Sequence, residues 1–387
     1  MKIVHLCLAS FYIDDASYQE NILPRYHKKA GYEVEIIASP DIFDKTGKLI
    51  IGEASKEYYN EDNILVKRLK YKIEKTDKKL KRFHGLYESL IKSNPDIIFI
   101  HGCQFLDIFN VIKYLETSKK TRVFVDNHAD FSNSASNLLS RYILHRVLWK
   151  TCAQAILPYT EKFYGVLPSR VDFLHKEYKI PKNKINLLVM GADDDYVTSS
   201  IEKSRFVRDK FDISSDSFLI VTGGKIDSAK VEVLDLMQSV NELCSDNDVK
   251  LIVFGSVTPE ILNDFNSLLS SNVIHAGWIT PESSYSYFAA ADLVVFPGRH
   301  SVFWEQVVAQ KKPLMVKLWP GTTHIDIGGN VIFLKRSNKQ EIKEKLEKVL
   351  RNPNFMKNLQ SVASSSKSED FLYSKIAYDS LQSKQKV

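Results

Sequence analysis

The chain has 387 residues, 44% hydrophobic and 26% charged, with a formal net charge of +6. That length suits two domains of ordinary size, and the composition is that of a soluble globular protein, which excludes the disordered, collagenous and disulfide-stapled classes. A surplus of six positive charges over such a length implies a basic surface region and argues against nucleic acid as a partner. The four cysteines, Cys7, Cys103, Cys152 and Cys244, form no CxxC pair and lie at no metal-ligand spacing from a histidine, so reduced, buried thiols in a cytoplasmic protein are expected. The opening run MKIVHLCLASF is too short for a signal peptide and reads as a strand. No stretch approaches the roughly 20 apolar residues of a membrane-spanning helix.

In chain order, residues 2–10 read as a strand and pass into the polar loop 11–19. A helix follows at 20–29, with Pro24 in its first turn where a missing N–H costs little. Gly31 ends it before a second strand at 32–39, and a third lies at 64–69. Residues 78–93 form an amphipathic helix with Leu80, Phe83, Leu86, Tyr87, Leu90 and Ile91 on its apolar side. Buried strands at 96–102 (DIIFIHG) and 122–128 (RVFVDNH) flank a helix at 105–119. A second amphipathic helix is expected at 135–150, and strands at 153–159 and 185–191 finish this half. Strands alternating with helices mean right-handed βαβ units and a parallel sheet.

The polar stretch 191–204, GADDDYVTSSIEKS, lacks periodicity and marks a boundary, giving domains at 1–195 and 196–369. The alternation then restarts, with strands at 218–224, 250–256, 272–277, 292–298, 313–317 and 331–335. Helices begin near Ala229, Pro259, Pro281 and Val302, and another spans 340–351. The last helix, within 370–387, is expected to pack back on the first domain. The fold class is therefore α/β with two doubly wound halves, and a cleft between such halves is a preferred place for a small molecule.

Two stretches carry the strongest chemical signals. In 292–313, DLVVFPGRHSVFWEQVVAQKKP, a buried strand breaks at Pro297 and Gly298, Ser301 serves as an N-cap, and a helix starts at Val302. Backbone N–H groups and the helix dipole then favour a phosphate at the strand's carboxyl end, with Glu305 and Gln306 in the first turn. An ordinary strand–helix corner has the same pattern. In 221–230, VTGGKIDSAK, Gly223 and Gly224 permit a tight turn and close approach, and Lys225 and Lys230 offer two ammonium groups to a diphosphate. The spacing is neither a Walker A motif nor GxGxxG. Two solvated lysines are the competing reading.

With these motifs the chain resembles the retaining GT-B glycosyltransferases of the family 4 (group 1) type, over nearly its whole length and most clearly from 221 to 313. The resemblance places the donor's diphosphate on Gly224, Lys225 and Lys230 and on the 301–302 helix start. It puts Glu305 on the donor ribose, aligns FAAADLVVFPG with the family's AD-hydrophobic-PS strand, and makes FPGRHSVFWEQ look like the variant of enzymes building capsule or O-antigen polysaccharide. It also implies retention at the anomeric carbon and no cofactor or metal. One departure matters: the family's first glutamate falls on Pro297, and Arg299, His300 and Ser301 occupy its place. His300 or the neighbouring N–H groups are therefore expected to handle the sugar. Gly277, Trp278 and Ile279 are expected near the base, although Trp278 reads equally as core.

In the first half, His101 and His128 stand at strand ends, where a histidine can hydrogen-bond a sugar hydroxyl or stabilise developing charge. The resemblance singles out His128, with Asp126, Asn127 and Asp130 beside it, and puts Tyr18, Glu20 and Asn21 (in YQEN) at the acceptor. Asp14, Asp15, Asp193, Asp194 and Asp195 read as solvated turn residues instead of metal ligands. The basic run from Lys67 to Arg82, beside the amphipathic helices, reads as a solvated face or as a seat on anionic lipid.

The expected activity is transfer of a sugar from a nucleotide-sugar donor to a glycan or polyprenyl-linked glycan acceptor. The expected place is the cytoplasm at the inner face of the plasma membrane. A nucleotide-sugar epimerase on the same scaffold, or a non-catalytic nucleotide-sugar-binding protein, are the rivals.

Overall fold

The apolar runs become strands because they are buried on both faces, as parallel sheets require. A computed structural model of the chain describes residues 1–44, 48–53, 56–130 and 140–383. It divides into two units, Met1–Val189 with Ile376–Val387, and Met190–Lys375.

The first unit contains β1 (Lys2–Cys7), β2 (Glu33–Ala38), β3 (Asp41–Phe43), β4 (Leu49–Ile51), β5 (Glu57–Tyr59), β6 (Leu65–Arg68), β7 (Ile97–His101), β8 (Arg122–Asn127), β9 (Thr160–Gly165) and β10 (Ile185–Leu187). Its main sheet, among the described residues, runs β10-β9-β8-β7-β1-β2-β6-β5. All pairs are parallel except the edge pair β5–β6, and β3–β4 is a separate antiparallel pair. The chain moves out from β1 to β6 and then returns to β7 on the other side of β1. The strand order therefore switches between β1 and β7, which is where doubly wound sheets bind ligands. Fully buried Val4, Leu6, Ile98, Ile100, Val123 and Val125 anchor the core on this sheet.

The second unit contains β11 (Phe218–Gly223), β12 (Val249–Phe254), β13 (Val273–Gly277), β14 (Leu293–Phe296), β15 (Leu314–Lys317) and β16 (Val331–Leu334). They pair in the order β13-β12-β11-β14-β15-β16, all parallel, with the switch between β11 and β14. Ile220, Leu251, Val253, Leu293, Val295 and Met315 are fully buried in its core.

Several expected elements differ. The run at 153–159 is helix, Lys150–Ile156 followed by a 3-10 turn at Leu157–Tyr159, and the strand is Thr160–Gly165. A short apolar run suits a buried helix as well as a strand, and the true strand carries Glu161 and Lys162, which masks it. The expected helix at 78–93 is two, Glu74–Leu80 and Leu86–Ser93, broken where Lys81 and Gly85 take positive φ. Of the expected helix at 135–150, residues 135–139 lie outside the described residues, and Ser140–Trp149 winds as a wide π-type helix. Pro24 sits inside the helix Gln19–Lys29, past its first turn. The boundary stretch is not a linker: Asp194–Lys210 is a helix of the second unit. Asp193 caps it by accepting the Asp195 N–H, and acidic residues in its first turn and basic ones in its last suit its dipole. The C-terminal helix is Tyr373–Ser380, and the chain rejoins the first unit within it.

Three glycines with positive φ, Gly224, Gly255 and Gly277, follow or end β11, β12 and β13. Gly255 passes so close to Gly224 that a Cβ on it would lie 2.0 Å from the Gly224 carbonyl oxygen. Gly255→Ala is therefore expected to combine a positive-φ penalty with a backbone clash, destabilising the second unit by about 3 kcal/mol or more in urea titration. An unchanged midpoint would contradict this packing.

Candidate functional site

At the switch between β11 and β14, the loop after Gly223 and the loop after Phe296 meet. A Cβ placed on Gly224 would lie 3.6 Å from both Lys230 Nζ and the Phe303 ring, and one on Gly298 would lie 3.3 Å from Lys230 Cγ. Gly224, Lys230, Gly298 and Phe303 are thus brought together at the sheet edge. Asp227 starts the 3-10 turn Ser228–Lys230 by accepting the Ala229 N–H, which directs Lys230 back over the loop. Burial pushes the Lys230 ammonium below its ordinary value, with Lys225 adding to the effect and Asp227 opposing it. Lys225 is more exposed, 3.9 Å from Asp227. Trp319 Nε1–H donates to Gly298 O at 3.2 Å and braces the second loop.

The helix after β14 is Phe303–Ala309. Ser301 Oγ accepts the Phe303 N–H at a long 3.4 Å, and Val302 already has helical φ and ψ. So short a helix carries a weak dipole, leaving the lysines as the main cationic element.

Glu305, expected at a ribose, has no exposed surface. Its Oε1 accepts from His300 Nε2 at 2.9 Å and from His324 Nε2 at 2.8 Å, while Oε2 and His324 Nδ1 are buried without a hydrogen-bond partner. Burial alone would raise this carboxyl, but His300 and His324 outweigh it and hold it down to about 2. His300 is the partly exposed member of the group, standing edge-on to Trp304. At this corner the ring that reaches partial exposure is His300, oriented by its hydrogen bond to Glu305. Gln306 is also buried, and Trp278 is 71% exposed at the end of β13, two strand positions from β11.

In the first unit, the carboxyl ends of β1, β7 and β8 gather a second group. Asp126, fully buried, accepts from His101 Nδ1 at 2.8 Å and from the Gly102 N–H at 3.1 Å, and lies 3.5 Å from His128 Nε2 and Gln19 Nε2. Burial opposes its ionisation, yet His101 and His128 keep it well below the ordinary carboxylate range. His128, its side chain 32% exposed, is raised: Asp126, and Glu20 to a lesser degree, overcome the burial that would lower it. Glu20 accepts from Ser10 Oγ at 3.0 Å, and Asp130 pairs with Arg170 at 3.4 Å. Asn21 turns inward, its side-chain N–H bonding Ile13 O at 2.7 Å, so it braces the loop, while Tyr18 is half exposed.

Behind Asp126 runs a buried line that sequence reading missed. His101 Nε2 meets His5 Nδ1 at 3.0 Å, and His5 Nε2 meets His27 Nδ1 at 3.0 Å. Neither His5 nor His27 carries a motif, and His324, nineteen positions beyond Glu305, gives no signal either.

Among the described residues, His101, Asp126 and His128, and likewise His300, Glu305 and His324, bring donor atoms of metal-ligating type within 4.8 Å of one another. The closest contacts within both groups are at N–H···O hydrogen-bond lengths. Much of the basic run is paired: Lys67 with Glu57, Arg68 with Asp14, Lys72 with Asp107, and Lys78 and Lys81 with Asp41. No helix among the described residues is long and apolar enough to cross a membrane.

No family model matches the chain, and no curated protein matches it in sequence. Solved structures do match in fold. A glycosyltransferase from Rickettsia africae ESF-5 superposes with a TM-score of 0.69 at 15% identity, over 98% of this chain and 96% of that one. Anabaena Alr3699/HepE in complex with UDP gives 0.66 at 13% identity, over 98% of both chains. A UDP-GlcNAc 2-epimerase from Neisseria meningitidis bound to UDP-GlcNAc gives 0.62 at 16%, over 98% of this chain and 99% of that one. The fold is therefore that of GT-B proteins, with two Rossmann-like units.

The buried histidines set a pH dependence. Burial lowers His5 well below its ordinary value and His27 to about 3. The neutral forms fit the fold, so their contribution is present above the unfolded value of about 6.5 and is lost as pH falls below it. His128, raised, works in the opposite sense. Urea unfolding is expected to show a loss of about 2 kcal/mol for each of His5 and His27 between pH 7 and pH 5, reduced by the His128 gain. Stability that is flat or rising over that interval would contradict their burial as neutral rings.

Proposed function

We propose that the chain transfers a sugar from a nucleotide-sugar donor to a glycan or lipid-linked glycan acceptor in bacterial surface polysaccharide synthesis, with retention and without a metal. The observation that carries this reading is the convergence of Gly224, Lys230 and Gly298 at the carboxyl ends of β11 and β14. Glycine leaves the backbone open there, and a partly desolvated ammonium binds a diphosphate more strongly than a solvated one. The donor's diphosphate meets Lys230 and Lys225. Contacts to it strengthen as the leaving diphosphate gains charge, so they favour the transition state over the bound donor.

His300, held by Glu305, contacts the donor, and this chain thereby replaces the glutamate that its relatives in sequence pattern carry at Pro297. His128, supported by Asp126, serves the sugar and acceptor side with Glu20 and Asp130. Two of the similar structures carry UDP or UDP-GlcNAc, which supports a nucleotide-sugar ligand and makes uridine nucleotides the first to try.

The epimerase among the similar structures favours a second reading, interconversion of a nucleotide sugar without an acceptor. Following a nucleotide sugar alone by NMR separates the two, since only an epimerase converts it.

Lys230→Ala is expected to weaken nucleotide-sugar binding by about tenfold or more in calorimetry, equivalent to about 1.4 kcal/mol, with little change in Tm. Lys225→Ala is expected to act in the same direction and less strongly, because that side chain is the more solvated. Glu305→Ala strands two imidazole N–H groups in the interior and is expected to lower Tm as well as affinity. Normal donor binding by both lysine variants would remove the assignment.

A further inference from the structure

The hydrogen bonds of the carboxylate group in the second unit leave it incomplete. His300 Nε2 and His324 Nε2 both meet one oxygen of Glu305, Oε1, at 2.9 and 2.8 Å. The other oxygen, Oε2, is buried without a partner on a residue that has no exposed surface. His324, its side chain 3% exposed, is unpartnered at Nδ1 as well. An unmet carboxylate oxygen in the interior is costly, and it marks a place where a cation is wanted. The Asp126 group differs, because His101 meets Asp126 Oδ2 and the Gly102 N–H meets Oδ1.

We propose that His300, Glu305 and His324 form a binding site for one divalent transition-metal ion of the zinc class, held by the two Nε2 atoms and the Glu305 carboxylate. The donor atoms lie within 4.8 Å of one another. Two imidazole nitrogens with one carboxylate are a set that Zn2+ and Co2+ accept, whereas Mg2+ and Ca2+ favour oxygen ligands throughout. Three protein ligands leave a fourth position for water or an oxygen of a small ligand, the layout of an open site.

The ion takes the place of two N–H groups, so each neutral ring moves its proton from Nε2 to Nδ1 and presents a lone pair to the metal. Ligand atoms around a four-coordinate ion stand about 3.3 Å apart, so the rings draw back from Oε1 by about half an ångström. That shift falls to His300, in the loop ahead of the helix Phe303–Ala309, because His324 is held in the 3-10 turn Thr323–Ile325 with its ring stacked near Phe371. The proton moved to His324 Nδ1 meets no acceptor among the described residues. The site therefore lacks the outer hydrogen bond that supports the tightest metal-binding histidines, which sets the expected affinity near micromolar. The sugar transfer proposed above draws on no ion, and the metal test uses no nucleotide sugar, so either can fail alone.

The test uses the untagged full chain, stripped with a chelator and titrated with Co2+ and then Zn2+. One Co2+ per chain is expected, with the intense visible absorption of a four-coordinate ion, and Zn2+ is expected to displace it. Spectra of 15N-labelled histidine are expected to show His300 and His324 as Nε2–H tautomers without metal and as Nδ1–H tautomers with Zn2+. His300→Ala, at the partly exposed ring, is expected to fold and to weaken the ion by about a hundredfold or more. Glu305→Gln keeps the shape of the side chain and is expected to act in the same direction; if it does not fold, His300→Ala decides. His128→Ala is expected to leave the absorption unchanged. Absence of the band at saturating Co2+, a band that survives His300→Ala at wild-type affinity, a band lost in His128→Ala, or rings still protonated at Nε2 under saturating Zn2+ would each overturn the proposal.

Discussion

The second unit depends on how closely its backbone can crowd at the carboxyl edge of a parallel sheet. β11 and β14 are neighbours in space though far apart in sequence, and the loops leaving them must pass each other. Gly255 lies almost against Gly224, and Gly298 lies against Lys230. Side chains at those positions would push the loops apart. Their absence lets one long cationic side chain lie across both loops, with its ammonium partly withdrawn from water. Backbone unobstructed by side chains and a partly desolvated cation suit an anionic ligand, and they follow here from topology and glycine placement together.

A second regularity links the two units. Each buries a carboxylate and surrounds it with imidazoles: Glu305 with His300 and His324, Asp126 with His101 and His128. An isolated buried carboxylate would take up a proton, whereas one receiving imidazole hydrogen bonds stays ionised. In both groups the carboxylate is inside and one histidine reaches partial exposure, His300 in one and His128 in the other. In each, the carboxylate fixes the orientation of the ring that reaches the surface.

Much of this was legible in the sequence, for physical reasons that also mark the limit. The strands of the second unit are apolar runs punctuated by glycine, a pattern with few competing explanations. The strand Thr160–Gly165 escaped because its polar residues find partners only in the fold, as Lys162 does on Asn183 O. The helix Asp194–Lys210 escaped because it has few buried positions, leaving no apolar stripe to read. Lys230 was readable beside its glycines. His5, His27 and His324 were not, because each is a single histidine whose partners come from distant segments brought together by sheet order. Glu305 was read as a ligand contact from its place in a helix turn, but the histidine that encloses it comes from beyond β15.

Hydrogen–deuterium exchange of the whole chain, with and without UDP-glucose, tests the central claim most directly. The account predicts protection concentrated in backbone amides of 223–230 and 297–303, where the two loops meet. Protection confined to other segments under saturating ligand would contradict it.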